Sequence, residues 1–153
     1  MQRRSFLSGL MAAPLTATLL PVTGARADAP LVSVAKSPTC GCCTAWVRHM
    51  RASGFRVEAQ DVTDDTLSAL KRRVGLAPEQ MSCHTARVEG YVVEGHAPAE
   101  EVHRLLAERP EARGLAVPGM PAGSPGMEMG AMRDAYDTLL IGKDGRATVF
   151  ASH

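Results

Sequence analysis

Leu31-Val32-Ser33-Val34-Ala35 alternates apolar and small residues, a period-2 pattern that predicts a strand. Lys36-Ser37-Pro38-Thr39 breaks it, and Cys40-Gly41-Cys42-Cys43 follows. From Cys43 the apolar residues Trp46, Val47 and Met50 recur at i+3, i+4 and i+7. That is the stripe of an amphipathic helix, and Gly54 is placed to end it. Residues 55–59 predict a second strand. Thr63-Asp64-Asp65 predicts a second helix, with a capping hydroxyl and two acids at the positive end. Leu67, Leu70 and Val74 would form its buried face, and Gly75 would close it.

Residues 86–95 predict a hairpin turning near Glu89-Gly90. Pro98-Ala99-Glu100-Glu101 begins a third helix with Val102, Leu105 and Leu106 inward. Residues 114–132 mix Gly114, Gly119, Gly123, Gly126 and Gly130 with prolines and methionines, and predict an irregular loop. The stretches 136–141 and 146–150 flank Gly142-Lys143-Asp144-Gly145, a hairpin signal. The order β-α-β-α-β(β)-α-β-β carries a Cys-x-x-Cys spacing, Cys40 to Cys43, between the first strand and the first helix. Together these predict an α/β, thioredoxin-like fold with a central mixed sheet flanked by helices. Such folds place a cis-proline before the penultimate strand, facing the cysteine pair; Pro118 and Pro121 are the candidates.

Composition narrows the class. The 153 residues are 45% hydrophobic and 22% charged, normal for one soluble domain. A formal net charge of +1 lacks the basic excess of a nucleic-acid protein. Part of the chain reads as a leader. Arg3-Arg4-Ser5 is a short positive start, no charged residue occurs from Ser5 to Ala25, and Ala25-Arg26-Ala27 suits a signal peptidase. Residues 1–27 are therefore expected to be a cleaved signal peptide, of twin-arginine or Sec type. Removing 27 of the 153 residues leaves 126 as a single domain, residues 28–153. Three of the 17 basic residues leave with it and none of the 16 acidic ones, so the remainder is mildly acidic. No stable membrane span is expected once the leader is gone.

The sulfur content then stands out: four Cys and eight Met against six aromatics. Cys40, Cys42 and Cys43 lie at a helix start, where free N–H groups and partial positive charge favour thiolate. Cys83 precedes the predicted hairpin and can approach them if the third strand lies beside the first. Four chemistries compete for this set. Two structural disulfides suit an exported chain, but one pairing joins adjacent Cys42 and Cys43 and the others crowd two bridges together. A thiol–disulfide oxidoreductase would use Cys40 and Cys43, with Cys42 inviting wrong pairing. A zinc site would need adjacent cysteines on one ion, whereas zinc ligands are usually spaced further apart. Monovalent copper is selected by thiolate and thioether sulfur, and a thiolate can bridge two copper ions. Bridging suits Cys-x-Cys-Cys plus one distant Cys, and implies several ions per chain. Met120, Met127 and Met129 would add soft thioether donors. Among the histidines, His84, next to Cys83, is the candidate for an occasional ligand or a group supporting one. His96 stands at the start of the third helix, a capping position; His49 and His103 lie on polar helix faces.

The residues also resemble a known family. Lys36-Ser37-Pro38-Thr39-Cys40-Gly41-Cys42-Cys43 with Trp46, His49-Met50-Arg51 and Gly54-Phe55 is similar to the CopG-like copper-resistance proteins, catalogued as a domain of unknown function. The similarity continues through Ser82-Cys83-His84-Thr85, residues 90–98, residues 114–121 and residues 123–128. The resemblance implies a thioredoxin-like, periplasmic protein of bacterial copper tolerance. It implies a copper cluster bridged by the Cys-x-Cys-Cys motif and the distant cysteine, by position Cys40, Cys42, Cys43 and Cys83. It further implies handling of copper between Cu(I) and Cu(II), alongside other periplasmic copper-export or copper-oxidising proteins. Whether such a chain is an enzyme, a store or a carrier stays open on these residues, with storage or binding favoured.

Overall fold

Burial along Leu31–Lys36 (β1) alternates, with Val32, Val34 and Lys36 inward, as a period-2 strand requires. The structure is a computed structural model that describes residues 29–153; the expected signal peptide lies outside the described residues. After β1 come α1 (Gly41–Ala52), β2 (Arg56–Asp61), α2 (Asp64–Arg73) and a short 3-10 turn at Pro78–Gln80. Then follow β3 (His84–Val88), β4 (Tyr91–Glu94), α3 (Ala99–Glu108), β5 (Ala112–Ala116), β6 (Asp137–Gly142) and β7 (Ala147–Ser152). The strands form one mixed sheet in the order β2-β1-β3-β4-β5-β6-β7. β1–β2 and β4–β5 pair parallel, and the other neighbours pair antiparallel. Each parallel pair is joined through a helix, α1 or α3, as a parallel connection requires.

The helices follow their local signals. The Cys43, Trp46, Val47 and Met50 stripe of α1 is buried, and Gly54 takes a positive φ of 93° just past its end. The Thr63 hydroxyl accepts from the Thr66 amide at 3.2 Å and caps α2, whose first turn carries Asp64 and Asp65. Trp46, Val47 and Met50 of α1 and Val102 and Leu105 of α3 pack on one face of the sheet with Val32, Val88 and Val93. α2 covers the other face, where Val74, Leu76 and Val92 form a smaller cluster with Leu70 and Met81 at its edge. No helix among the described residues is long and apolar enough to cross a membrane.

Three expectations need correction. First, residues 114–116, expected in the loop, belong to the strand β5. It is five residues long and contains Gly114, a strand breaker by composition. The glycine is needed because a Cβ there would lie 1.8 Å from the Val92 carbonyl oxygen, so only hydrogen lets β5 approach β4. Second, no peptide bond among the described residues is cis, Pro118 and Pro121 included. The loop turns instead on Gly119, Gly123 and Gly126, with φ of 67°, 91° and 87°. Third, the buried face of α2 is Leu67 and Lys71 with Val74 just past its end, while Leu70 is only half-buried. The lysine takes the inner position because a carboxylate waits for it on β4.

Residues 117–136 are irregular, in keeping with the expected loop over 117–132 and extending it by four residues, yet held at several points. Gly119 donates its amide to the Met81 carbonyl, Ala122 donates to the Asp134 carboxylate, and Ala122 and Ser124 are buried. The tight β4–β5 approach leads to a stability prediction. Gly114→Ala should destabilise the chain by about 3 kcal/mol, the upper range for forcing an atom into packed space. Urea unfolding checks this, and an unchanged midpoint would mean that β5 moves aside freely.

Candidate metal centre

The β1–β3 pairing brings the cysteines together. Its register sets Lys36 opposite His84, so the residue before β3, Cys83, meets the residues that follow β1 and open α1. The Cys40 side chain caps α1, its Sγ accepting from the Cys43 amide at 3.3 Å. Cys40 and Cys43 are joined as a disulfide, while Cys42 and Cys83 are free. Cys42 Sγ lies 3.5 Å from Cys40 Sγ and 4.0 Å from Cys83 Sγ. All four sulfurs fall within 4.8 Å of one another, a grouping able to hold a metal. One bridge forms rather than two, so a pair of structural disulfides is not what this arrangement contains.

Two imidazoles complete the surroundings of Cys83. His84 Nδ1 is 3.4 Å from Cys83 Sγ, and His96 Nε2 is 3.0 Å from it. Both rings are fully buried; His84 packs on Trp46 with ring centroids 4.4 Å apart and meets His96 edge-on. His96 does not cap α3: its Nδ1 lies 2.8 Å from the Pro125 carbonyl, and His49 Nε2 accepts the Ala99 amide instead, at 3.0 Å. The sequence signal for His96 was its place after Gly95, which suited a cap equally well. Only the fold, by laying β4 beside β3, separates the two readings.

A buried ionic network holds the Cys83 segment. Glu94 on β4 accepts from the Ser82 amide at 2.7 Å and from the Thr85 hydroxyl at 2.6 Å. Lys71 reaches across from α2 to Glu94 and to the Thr85 hydroxyl. The Ser82 hydroxyl donates to the Gly119 carbonyl, which ties the same segment to the start of the methionine-rich loop. Further along, a Cβ on Gly126 would lie 2.7 Å from the Cys42 carbonyl oxygen and 2.8 Å from the Trp46 nitrogen. The loop backbone therefore rests directly on the first turns of α1, and Met127 follows that contact half-buried. Met120 and Met129 are more than half exposed, at 54% and 59%.

Burial, reinforced by nearby Cys42, pushes the Cys83 thiol up to about 12. Burial likewise pushes the Glu94 carboxyl up, against the pull of Lys71.

The fold and these residues define a class: a small α/β protein with a cysteine cluster capable of metal binding. Comparison with known proteins gives the family. The family described as "Protein of unknown function, DUF411" matches residues 80–127, the part that contains Cys83, His84, His96 and the front of the methionine-rich loop. No curated protein matches the chain. Two solved structures do. Copper resistance protein CopG, form 2, is 42% identical with a TM-score of 0.76, covering 82% of this chain and 98% of that one. Form 1 is 43% identical with a TM-score of 0.75, covering 80% and 96%. The chain belongs to the CopG copper-resistance family.

The imidazoles generate a pH prediction for the metal-free protein. Burial pushes His49, His84 and His96 below the ordinary value of 6.5. Unfolded, each takes a proton near 6.5; folded, each resists until lower pH. The unfolded state then binds more protons just below 6.5, so stability should fall as pH drops through that window. Glu94, pushed up, acts the other way, but three imidazoles outnumber it. Urea unfolding at about pH 7.5 and about pH 5.5 reads the difference; equal or greater stability in acid would show that these rings are charged in the folded chain.

Proposed function

We propose that this chain is an exported, periplasmic copper-binding protein of copper resistance. In this reading residues 1–27 direct export and residues 28–153 form one thioredoxin-like copper-binding domain. Cys40, Cys42, Cys43 and Cys83 hold Cu(I) in a polynuclear cluster bridged by cysteine sulfur. The observation that carries it is the meeting of four sulfurs within 4.8 Å in a chain of a copper-resistance family. Thiolate sulfur selects Cu(I), and bridging lets adjacent Cys42 and Cys43 serve different ions. Met120, Met127 and Met129 are soft donors on the loop that rests against α1, suited to passing copper toward the cluster.

The disulfide must open before all four sulfurs can bind. Two electrons and two protons convert the Cys40–Cys43 bridge to two thiols, and Cu(I) then displaces the thiol protons to solvent. Oxidation of two Cu(I) to two Cu(II) would supply the two electrons. The same bridge, running in reverse, would return them. This couples copper oxidation state to the bridge and gives a role beside copper-export or copper-oxidising partners.

A second reading rests on the disulfide itself. A Cys40–Cys43 bridge capping a helix suits a metal-free thiol–disulfide oxidoreductase. The two readings divide at Cys42. Reduced chain loaded anaerobically with Cu(I) should bind more than one ion per chain, and Cys42→Ser and Cys83→Ser should each lower that count. No copper bound, or zinc taken in preference, would overturn the cluster. Disulfide exchange by the metal-free chain, undiminished in Cys42→Ser and accompanied by no copper binding, would establish the oxidoreductase instead.

A further inference from the structure

Cys83 belongs to two groups of donors. One is the four-sulfur set; the other is Cys83, His84 and His96, whose donor atoms also lie within 4.8 Å of one another. The second group differs in chemistry and in what supports it. Its residues stand at the start of β3 and in the β4–α3 connection, and none of them takes part in the Cys40–Cys43 bridge. Closing that bridge removes two sulfurs from the first group and none of the donors from the second.

The imidazoles are set toward the sulfur. A carbonyl oxygen only accepts, so the Pro125 carbonyl at 2.8 Å places the hydrogen of His96 on Nδ1. His96 Nε2 then carries a lone pair, and that lone pair faces Cys83 Sγ at 3.0 Å. A histidine with one nitrogen fixed by a backbone carbonyl and the other bare is how ligating imidazoles are usually oriented. His84 is the odder case. It is fully buried, its Nε2 has no hydrogen-bond partner, and its Nδ1 has the Cys83 sulfur within reach. Burying an imidazole with an orphaned nitrogen is costly. An apolar residue would fill the space beside Trp46 without that cost, so His84 is explained by what its other nitrogen does at Cys83.

We propose that Cys83, His84 and His96 form a second, mixed nitrogen–sulfur site that binds one Cu(II) when the Cys40–Cys43 disulfide is closed. The proposal rests on the copper reading above and deepens it. One thiolate with two imidazoles is a donor set matched to copper in its divalent state, whereas an all-sulfur set favours Cu(I). Binding replaces the Cys83 thiol hydrogen, which leaves to solvent as a proton; no electron moves. Cys83 is thus held in common, and the state of the helix disulfide decides which donor group is complete.

The test uses oxidised protein carrying Cys42→Ser. That substitution removes the other free thiol, since two Cu(II) could otherwise oxidise Cys42 and Cys83 to a disulfide, yielding two Cu(I) and two protons. Titration with a Cu(II) salt should give one ion per chain, a Cu(II)–thiolate charge-transfer band and a Cu(II) paramagnetic resonance signal. Cys83→Ser should abolish the band. His96→Gln should weaken binding at least about tenfold, as loss of a ligand costs no less than loss of a group supporting one. His84→Gln, checked for folding by circular dichroism, should weaken it similarly, and His96→Gln decides the matter if His84→Gln does not fold. Absence of Cu(II) binding, binding without the thiolate band, indifference to His96→Gln, or zinc held more tightly than Cu(II) would overturn the proposal. Reduced wild-type chain loaded with Cu(I) separates the two readings. Cu(I) bound there with no Cu(II) site in the oxidised chain sinks this inference alone; the opposite result sinks the cluster alone.

Discussion

Glu94 is the group on which the site's geometry turns. Its carboxylate is buried at the end of β4, accepts from the backbone of Ser82 and the hydroxyl of Thr85, and is paired to Lys71. A lone buried carboxylate would be strongly disfavoured; a charge partner and two further donors make it tolerable. The arrangement does something that an apolar contact would not. Hydrogen bonds have direction, so the carboxylate dictates where the Ser82 amide lies, and hence where the next residue, Cys83, begins. Removal of one partner from such a pair leaves a buried unpaired charge, at a cost of about 3–5 kcal/mol. Position of the cysteine and stability of the α2 face are therefore bound to one set of contacts.

The rest of the site is built outward from that anchor. β1 and β3 run antiparallel with Lys36 opposite His84, which carries the helix start of α1 to the anchored Cys83. β4 lies beside β3, so the chain leaving β4 returns His96 to the same sulfur. The methionine-rich loop closes the remaining side through three backbone attachments: Gly119 to the Ser82 segment, Pro125 to His96 and Gly126 against Cys42. These attachments explain why a stretch rich in glycine and proline keeps a defined course. Close approach at Gly126 leaves no room for a side chain, and carbonyl groups replace the sheet partners that a strand would have had.

Much of this was legible in the residues because the signals were local. The Cys43–Trp46–Val47–Met50 stripe, the Thr63 cap and both hairpins need only neighbours in sequence to be read. The four cysteines could be grouped once β3 was placed beside β1. What stayed hidden depends on distant partners. Lys71 falls four residues after Leu67, on the inward face by spacing, yet lysine signals solvent until Glu94 is seen opposite. β5 was lost because Gly114 reads as a loop residue, and its reason, the nearness of the Val92 carbonyl, is tertiary. His96 stands at a helix start, where capping is an equally good local explanation, while its contact with Cys83 spans 13 residues and a strand pairing. Pro118 and Pro121 are trans, and the loop takes its positive-φ turns at Gly119, Gly123 and Gly126.

Placing the shared cysteine off the helix has a chemical consequence. Cysteines at a helix start are eased toward thiolate by free amides, and two of them here are close enough to form a bridge. Cys83 lies off the helix, and burial pushes its thiol up to about 12. The division suits a sulfur that serves two donor groups. Cys40 and Cys43 are joined in the bridge, while Cys83 is a free thiol whose neighbour Ser82 is held by Glu94. A site that met copper in two oxidation states, as proposed above, would need one part that changes and one that does not. In that proposal the changing part is the bridge at the first turn of α1, and the constant part is the buried network of Glu94, Lys71 and Thr85.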